Sequence, residues 1–449
     1  MNEKKLFGTS GIRGDAKKDF TNQFCFDIAC SFPKFLDNHN QKGPIAIGKD
    51  PRSSTPRIAK AVTDGLFFSE KKVFDQGICP VPAINSILKT SEMTAGIMIT
   101  GSHIDAELNG LKFFSFKEEI LKEHEAEIEE IYFKLKEKVK FKSFVKEPID
   151  ENRANEGYAE MLLSFAQKPY PKWKVVLDCS NGCQSVVMPE LLNNLGFEVV
   201  VINNNIHGKF IARDTEAQGA VEALSKMVVK TQANLGIGFD PDGDRVVFVD
   251  ESGNFIPGDV SGSLIAKYED VGNIIITPIN TSQVVEALGK PVIRTRVGSP
   301  FVVKAMKDNN ASFGFEANGG GIFAKGVMSR DGGTTTITLL NILSRERKSL
   351  KELVSLLPKF YLHRLKVDCP TSLNEKILLA AEKEYKATRI EKLDGLKLWL
   401  DKTTWILFRP SNNAPEFRVF VEAETSQKAE EQATLGIAFV KKIMKGENI

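Results

Sequence analysis

Four short segments of this sequence group side chains in ways that chemistry can use, and the most specific of them is DPDGDR. It places carboxylates at Asp240, Asp242 and Asp244, followed by Arg245, directly after the apolar run NLGIGF. Three carboxylates held together repel one another unless a cation lies among them, and oxygen ligands suit a hard ion such as Mg²⁺. The segment therefore predicts a magnesium site, with a solvated acidic turn of a β-hairpin as the alternative. An EF-hand is excluded because its sixth position would be Arg245 rather than glycine.

A second segment, TGSHID, puts Ser102 and His103 just after the apolar run AGIMI. On its own, a small polar residue at the end of a strand most often forms a turn. A serine hydrolase would need the G-x-S-x-G elbow, and this chain lacks the glycine after the serine. A serine that stores a phosphoryl group needs a magnesium site and cations nearby. DPDGDR offers the first, and Arg13, His103 and Lys112 offer the second.

A third segment, FRPSNNAPEFR, lies between two strand-like runs and gathers arginines and small polar residues. Arginine forks and the backbone N–H groups of a turn are what a phosphate dianion needs. The segment predicts phosphate binding, with an ordinary polar hairpin loop as an equal alternative. The residues concerned are Arg409, Ser411, Asn412, Asn413 and Arg418.

The fourth segment, FEANGGGIF, encloses one carboxylate and one amide between apolar flanks and glycines. Glu316 and Asn318 alternate along an expected strand edge, so both side chains should lie on one side and hold sugar hydroxyls. The glycines would allow a close approach of the backbone. Taken alone, the segment is better explained as a glycine-rich hairpin.

Length and composition restrict the class of protein. With 449 residues, 42% of them apolar and 26% charged, the chain should form three or four globular domains. A formal charge of +2 gives no general attraction to nucleic acid or to a membrane surface. No apolar leader or run of ~20 apolar residues is present, so a cytoplasmic protein is expected. The six cysteines form no CxxC pair and are expected to be reduced core residues, with a zinc site as the alternative.

Strand-like and helix-like runs alternate along most of the chain. The runs GPIAIGKD, TPRIAKAVTDGLFFSE, KKVFDQGIC and TAGIMITGS predict strand, helix, strand and strand. Two further stretches repeat this βα pattern, which indicates related α/β domains in tandem. A charged helix is expected around Phe116 to Lys140. From about Tyr361 the order becomes strand, helix, several strands and a closing helix, which predicts an α+β domain with an antiparallel sheet.

Five segments follow one another along the chain in the order FGTSGIRG, TGSHID, GFDPDGDR, FEANGG and RPSNNAPEFR. In this order they resemble the motifs of the α-D-phosphohexomutase family, which includes phosphomannomutases, phosphoglucomutases and phosphoglucosamine mutases. The resemblance covers the whole chain. It implies three tandem α/β domains and a fourth domain similar to the TATA-binding protein, around a central cleft. The corresponding boundaries are a phosphoserine domain at 1–150, a metal-binding domain at 151–255, a sugar-binding domain at 256–363 and a phosphate-binding domain at 364–449.

The resemblance also implies a mechanism. Ser102 would carry a phosphoryl group, and Mg²⁺ would be held by the three aspartates and one oxygen of that group. Transfer to a hexose phosphate would give a hexose 1,6-bisphosphate, which is also the expected activator, and the other phosphate would return to Ser102. The remaining implied roles are Arg13, His103 and Lys112 beside the serine, Arg245 beside the metal loop, Glu316 and Asn318 on the sugar, and Arg409, Ser411, Asn412, Asn413 and Arg418 on the phosphate that is not transferred.

The chain departs from the family pattern at three places. Ile104 and Asp105 follow the serine and histidine, where asparagine and proline are common in the family. Gly320 stands where many members have a histidine in the sugar loop, and Ser299 stands where another histidine is often found. The group that moves the proton must then be His103, Lys112 or another side chain.

The combination of EANGG with TPINTS and VGSP looks more like bacterial phosphomannomutase-type members. We therefore expect a magnesium-dependent mutase of mannose 6-phosphate and mannose 1-phosphate, with the glucose phosphates as overlapping substrates. Its expected partner is a small sugar phosphate, and a monomer or homodimer is expected. The alternatives are a phosphoglucosamine mutase or phosphoglucomutase, a catalytically weak sugar-phosphate-binding protein on the same scaffold, and a hydrolase.

Overall fold

Four β-sheets follow one another along the chain. The computed structural model describes residues 5–136, 138–411 and 415–446. Three sheets mix parallel and antiparallel strands, and the fourth is antiparallel throughout. This order confirms the predicted fold of three α/β domains followed by an α+β domain. No helix in the described ranges combines the length and the apolar character needed to cross a membrane.

The first sheet positions the serine segment. Its domain contains β1 (Ile12–Asp15), α1 (Asn22–Asn38), β2 (Ile45–Lys49), α2 (Thr55–Phe68), β3 (Val73–Ile78), α3 (Val81–Thr90), β4 (Ala95–Ile99), β5 (Leu108–Ser115), β6 (Glu118–Glu119), α4 (Lys122–Leu135) and β7 (Ile149–Asp150). The strand order is β1-β5-β4-β2-β3-β7, with β6 on β5. Strand β4 is buried along its whole length, as its continuous apolar sequence requires, and it ends three residues before Ser102.

The charged helix is shorter than the sequence predicted. It is α4, and the preceding residues Phe116 and Lys117 form a turn with positive φ angles of 55° and 63°. The six cysteines are free, as expected, and all are buried or half-buried. Within the described ranges, the only group of three or more possible metal ligands of the His, Cys, Asp and Glu types is the aspartate trio, so the zinc alternative finds no support there.

The second sheet carries the aspartate segment. Its domain contains α5 (Arg153–Phe165), β8 (Lys174–Asp178), α6 (Met188–Asn194), β9 (Glu198–Ile202), α7 (Glu222–Thr231), β10 (Leu235–Phe239), β11 (Val246–Val249) and β12 (Phe255–Ile256). The strand order is β12-β11-β10-β8-β9. Strands β10 and β11 form an antiparallel hairpin in which Phe239 is opposite Val246, so residues 240–245 form the connecting turn.

The third sheet carries the sugar segment. Its elements are α8 (Gly258–Tyr268), β13 (Ile275–Pro278), β14 (Val292–Thr295), α9 (Ser299–Asp308), β15 (Phe313–Phe315), β16 (Gly321–Phe323), α10 (Gly332–Glu346) and α11 (Leu350–Ser355). The strand order is β14-β13-β15-β16. Residues 316–320 connect β15 to β16, and Asp331 caps the N-terminus of α10 by accepting a hydrogen bond from the Thr334 N–H.

The fourth sheet packs helices on one face and the third domain on the other. Its elements are β17 (Tyr361–Asp368), α12 (Asn374–Glu384), β18 (Arg389–Glu391), β19 (Leu396–Trp399), β20 (Trp405–Pro410), β21 (Glu416–Ala423) and α13 (Ser426–Met444). Because side chains alternate along a strand, Ile406 packs with α13 in one cluster, while Trp405 and Leu407 pack on Ile279 of the third domain.

One continuous hydrophobic core runs through the first three domains, since buried residues of all three belong to it. The fourth domain has a separate core and meets the third domain through a small cluster that includes Ile279 and Trp405. The predicted domain boundaries stay predictions; in the structure β12 ends at Ile256 and β17 begins at Tyr361.

Candidate active site

The turn between β10 and β11 brings three carboxylates together. Ligand oxygens of Asp240, Asp242 and Asp244 all lie within 4.8 Å of one another, and the three side chains are buried. Gly243 takes a φ of 71° in this turn, and Asp240 Oδ1 accepts a hydrogen bond from the Arg245 N–H at 3.1 Å. The sequence prediction that these aspartates converge is therefore confirmed by the geometry.

The charge of this turn fits a divalent cation. Burial, followed by repulsion from Asp242 and Asp244, raises the pKa of Asp240 well above its usual range. Burial also acts against ionisation of Asp244, but Arg330, Lys112 and Arg245 outweigh it and lower the pKa of that carboxyl. Among the described residues, the buried Oδ1 atoms of Asp242 and Asp244 have no hydrogen-bond partner. Buried carboxylate oxygens without a hydrogen-bond partner suit Mg²⁺, which the three aspartates would hold.

Ser102 lies directly against this turn although it belongs to the first domain. Its Oγ donates a hydrogen bond to Asp240 Oδ2 at 3.2 Å and lies 3.5 Å from His103 Nδ1. The Ser102 φ of 55° is in the left-handed region, and its N–H donates to Thr100 Oγ1 at 2.8 Å. The hydroxyl is thus placed where a phosphoryl group on it would meet the aspartate turn.

Three polar side chains were predicted beside the serine, namely those of His103, Lys112 and Arg13, and they lie at different places around the aspartate turn. Burial, together with repulsion from Arg245 and Arg13, lowers the pKa of His103 well below its usual range, so its imidazole is neutral at pH 7. Lys112 Nζ lies 2.8 Å from both Asp242 Oδ2 and Asp244 Oδ2, closer to the metal turn than to the serine. Arg13 donates to the carbonyl of Gly101, and burial lowers its pKa to about 10, so it keeps its charge at neutral pH.

Arg245 borders the turn less tightly than Lys112 does. Its Nε lies 3.8 Å from Asp240 Oδ2 and 3.7 Å from Asp244 Oδ1. At these distances the contacts are ion pairs and are too long for good hydrogen bonds. The buried Nε has no hydrogen-bond partner in the described part of the chain. The Arg245 guanidinium therefore keeps donor capacity for an anion.

The sugar segment differs from the strand edge that its sequence predicted. Strand β15 ends at Phe315, so Glu316 and Asn318 lie in a turn, and that expectation is wrong. The turn is enforced at Gly319, whose φ is 89° and where a Cβ would come within 1.8 Å of a backbone carbonyl oxygen. Glu316 Oε1 accepts from the Gly298 N–H at 3.1 Å, and Asn318 Oδ1 accepts from the Gly320 N–H at 3.3 Å.

The phosphate segment joins β20 to β21 as expected. Arg409 Nε donates to Asp394 Oδ2 at 2.8 Å, and the Ser411 N–H donates to the Glu416 carbonyl at 2.9 Å. Arg418 donates to Glu416 Oε1 from Nε at 3.0 Å and from Nη2 at 2.6 Å. The two other predicted phosphate ligands lie outside the described residues; they are Asn412 and Asn413.

Two arginines that the sequence did not point to are central to the site. Arg330 Nη2 donates to Asp244 Oδ2 at 2.9 Å, and its Nη1 donates to Glu316 Oε2 at 3.0 Å. Arg330 therefore links the aspartate turn (residues 240–245, the metal turn) to the turn at residues 316–320 (the sugar turn). Burial acts to lower the pKa of Arg330, but the carboxylates raise it well above its usual value. Arg52, in the segment GKDPRSS after β2, donates to backbone carbonyls of the Ser102 segment. The sequence signal was an arginine just after a strand end, which is too common to single out.

The fold, with three α/β domains and a fourth α+β domain, and the site, with a serine beside three aspartates, together define the class of phosphoryl-transfer enzymes. Models of the phosphoglucomutase/phosphomannomutase α/β/α domains I, II and III match residues 4–139, 156–253 and 257–360 in that order. The chain belongs to this family, the α-D-phosphohexomutases. It is therefore an intramolecular phosphotransferase that acts as a phosphohexomutase.

The relatives carry more than one substrate name. A phosphoglucomutase/phosphomannomutase of Thermococcus kodakarensis is 34% identical, with 98% of this chain and 100% of the relative aligned. A phosphoglucosamine/phosphogalactosamine mutase of Sulfurisphaera tokodaii is 31% identical, with 99% and 100% aligned. The family resemblance seen in the sequence is confirmed, and the preferred hexose is not decided by these names.

Solved structures support the same fold. A phosphoglucomutase/phosphomannomutase family protein of Burkholderia thailandensis superposes with a TM-score of 0.84 at 22% identity, covering 100% of this chain and 99% of that one. An N-acetylphosphoglucosamine mutase of Aspergillus fumigatus, solved in complex with GlcNAc-6P and magnesium, superposes with a TM-score of 0.63 at 14% identity, covering 98% and 96%.

Proposed function

We propose that this phosphohexomutase interconverts mannose 6-phosphate and mannose 1-phosphate through a phosphoserine at Ser102, with the glucose phosphates as overlapping substrates. The observation that carries the proposal is the position of Ser102 Oγ, 3.2 Å from Asp240 Oδ2 in a turn of three buried aspartates. The proposed ion is Mg²⁺, held by Asp240, Asp242 and Asp244; when bound, it neutralises charge on the phosphoryl oxygens.

The protein side chains have distinct tasks in this mechanism. The phosphorus of phosphoserine 102 forms a bond to the free hydroxyl oxygen of the sugar phosphate as its bond to Ser102 Oγ breaks. Neutral His103 accepts the hydroxyl proton and delivers it to Oγ, which lies 3.5 Å from Nδ1. The bisphosphate then turns in the cleft and the reverse transfer rebuilds the phosphoserine. No water is consumed, so the net reaction is an isomerisation.

The second phosphate of the sugar needs a fixed anchor while the first is transferred. We assign this role to Arg409 at the end of β20, Ser411 after it and Arg418 at the start of β21, because one anchor can serve both orientations of the sugar. Binding energy at the remote phosphate then positions the reacting one. Glu316 and Asn318 would contact the sugar hydroxyls between the two sites.

The charge around the sugar turn supports a neutral hexose over glucosamine phosphate. Glu316 Oε2 is paired with the Arg330 guanidinium at 3.0 Å. Glu316 Oε1 accepts from the Gly298 N–H at 3.1 Å, so both oxygens of this carboxylate have partners within the protein. The Glu316 carboxylate is already neutralised by Arg330, so it offers little attraction to a protonated 2-amino group, whereas a 2-hydroxyl group needs no anionic partner.

A substrate panel tests the assignment. Initial rates would be measured with the 1-phosphates of mannose, glucose, glucosamine and N-acetylglucosamine, each primed with a hexose 1,6-bisphosphate and Mg²⁺. We expect kcat/KM for mannose and glucose to exceed that for glucosamine by about tenfold or more, which corresponds to ~1.4 kcal/mol. Turnover of glucosamine phosphate alone would refute the mannose assignment and favour the activity in the name of the Sulfurisphaera tokodaii relative.

The covalent step has a separate test. Ser102→Ala should abolish mutase activity and the phosphate-sized mass increment that priming adds to the intact wild-type protein. Ser164→Ala is the matched control, because that hydroxyl lies on an exposed end of α5 and bonds only to a local carbonyl. Free phosphate accumulating in place of the isomeric sugar phosphate would instead indicate a hydrolase.

A further inference from the structure

The guanidinium of Arg52 binds the segment between β4 and β5, residues 100–107. Nη2 donates to the carbonyls of Ser102 and Ile104, each at 2.7 Å. Nη1 donates to the carbonyls of Asp105 and, at 3.0 Å, Leu108. Three carbonyls of this segment and the first carbonyl of β5 therefore converge on one side chain, and Arg52 is 1% exposed.

Arg52 is itself fixed by Asp50, and the same carboxylate reaches the serine by a second route. Arg52 Nε donates to Asp50 Oδ2 at 3.0 Å, so all the donor directions of the guanidinium fork are used. Asp50 Oδ2 also accepts from Thr100 Oγ1 at 2.7 Å, and Thr100 Oγ1 accepts from the Ser102 N–H at 2.8 Å. Asp50 thus connects to both sides of Ser102.

These contacts determine the backbone angles of Ser102. Its N–H, in the peptide group before it, is held by Thr100, and the carbonyl of that same peptide group accepts from Arg13. Its own carbonyl, in the following peptide group, is held by Arg52. With both flanking peptide planes fixed, the left-handed φ of 55° is imposed on Ser102, although an L residue with a side chain disfavours it.

The guanidinium is covered on its other side by the second domain. The ring of Phe210 lies 4.0 Å from Arg52 Cζ, which is a stacking distance for an arginine on an aromatic ring. Gly101 permits the approach from the serine side, because a Cβ at this position would come within 2.7 Å of Arg52 Cζ. The Arg52 side chain therefore fills a space defined by the serine segment and by Phe210.

We propose that Arg52 is a positioning residue for phosphoryl transfer: it holds Ser102 in the left-handed conformation that directs its Oγ to the aspartate turn. This inference rests on the proposed role of Ser102. Lysine cannot replace Arg52, because its single ammonium group has three N–H donors. Arg52 uses the five N–H donors of a planar guanidinium to bind four carbonyls and a carboxylate. The contacts to the sugar and to the second phosphate are assigned to the third and fourth domains, so a change at Arg52 should leave substrate binding intact. Replacing Arg52 should therefore lower kcat and leave KM nearly unchanged.

The test compares Arg52→Lys with Arg57→Lys. Arg57 lies in the same domain, is exposed, and its guanidinium contacts Asn22 and the carbonyl of Ala16 rather than any carbonyl of residues 100–107. For Arg52→Lys we expect kcat on mannose 1-phosphate to fall about 100-fold, with KM within about threefold of wild type, since a displaced reacting group costs rate at this order. Hydrogen exchange of the amides in residues 100–107 should be faster, and Arg57→Lys should match wild type in every measurement.

Phe210→Leu provides a second variant that does not depend on a buried charge. Loss of the stacked ring should lower kcat several-fold without a change in Tm, because Phe210 is half-buried and belongs to no hydrophobic core cluster of the described residues. Wild-type kcat in Arg52→Lys would overturn the inference, and so would wild-type kcat in Phe210→Leu if Arg52→Lys fails to fold. A wild-type enzyme that never acquires phosphate on Ser102 would refute the proposed function, whereas unchanged exchange in residues 100–107 of Arg52→Lys would refute the positioning role by itself.

Discussion

At the scale of single residues, the position of the Arg330 side chain depends on the absence of a side chain at Gly320. A Cβ at Gly320 would come within 2.7 Å of the Arg330 Cδ and Cγ atoms, so the arginine lies across the space that a side chain at 320 would take. Gly320 is the position at which the sequence departs from the family pattern by lacking a histidine. The Arg330 side chain takes this space, and its guanidinium links Asp244 to Glu316.

Gly320→Ala should therefore displace Arg330 and separate the metal turn from the sugar turn. We expect kcat/KM to fall about 10- to 100-fold, the usual effect of losing a contact that orients metal ligands. The measurement is the initial rate at several Mg²⁺ concentrations. Gly219→Ala is the matched control, because a Cβ there would meet nothing within 4 Å. Equal rates for the two variants would contradict the dependence of Arg330 on Gly320.

The metal prediction also belongs to this scale. Asp242 Oδ1 is buried without a hydrogen-bond partner in the described ranges, while Oδ2 is paired with Lys112. Asp242→Asn should raise the Mg²⁺ concentration needed for half-maximal activity about tenfold or more, and removal of Mg²⁺ by a chelator should abolish turnover in wild type. Isothermal titration with Mg²⁺ measures the binding directly. Asp270→Asn, an exposed carboxylate remote from the turn, should behave as wild type.

At the scale of elements, the N-terminus of α10 is where the second and third domains meet. Asp331 Oδ1 accepts from the Thr334 N–H at 3.0 Å and from the Tyr158 hydroxyl of α5 at 2.5 Å. The capping residue of one domain is thus bonded to a buried side chain of another. Arg330 directly precedes Asp331 in the chain, so the position of the N-terminus of α10 also determines where Arg330 lies.

Asp331→Ala should lower the free energy of unfolding by about 2–4 kcal/mol, because the cap is lost and the buried Tyr158 hydroxyl loses its partner. Tyr158→Phe removes only the hydroxyl and should cost about 1 kcal/mol. Urea denaturation of both variants gives the comparison. If Asp331→Ala were no less stable than Tyr158→Phe, the cap would not be the main contribution.

Sequence reasoning identified the elements and the local turns more reliably than the contacts between distant segments. The aspartate turn was predictable because three carboxylates lie within five residues and close one hairpin. The place of Glu316 was not, because the turn depends on Gly319 meeting the carbonyl of Val246 in another domain. Arg52 gave no local signal, since its ligands are carbonyls about 50 residues further along the chain.

At the scale of the whole molecule, the fourth domain is attached through a small polar and aromatic interface. Glu422 of β21 accepts from the Gln283 N–H at 2.9 Å and from Trp405 Nε1 at 2.8 Å, and it also bonds the Ser282 hydroxyl. Lys397 Nζ lies 3.9 Å from the Trp405 ring centroid and donates to the carbonyl of Ile279 at 3.1 Å. A buried amine between the domains makes this interface sensitive to pH.

Burial, followed by repulsion from Arg294, lowers the pKa of Lys397 from 10.5 to about 7. Between these two values the folded protein binds fewer protons than the unfolded chain, so the contribution of Lys397 to stability rises with pH. Below pH 7 the amine is charged in both states and the contribution is constant. Compared with Lys397→Met, the wild type should gain on the order of 1–2 kcal/mol between pH 7 and pH 8.5.

The measurement is the difference in unfolding free energy between wild type and Lys397→Met at each pH, which cancels the titration of other groups. Lys290→Met is the control, because that lysine lies outside the interface cluster. A difference that does not change across this range, or that falls as the pH rises, would contradict the lowered pKa.

The backbone packing behind the sugar turn has a practical consequence for anyone who wishes to change which hexose the enzyme accepts. A Cβ at Gly258 would come within 2.2 Å of the Gly319 nitrogen, and one at Gly319 within 1.8 Å of the Val246 oxygen. The start of α8, the turn at Gly319 and the start of β11 therefore touch with no room for a side chain. A mutant library aimed at sugar selectivity should vary residues 316–318 and keep both glycines, since diversity at 258 or 319 would produce misfolded clones rather than new specificities.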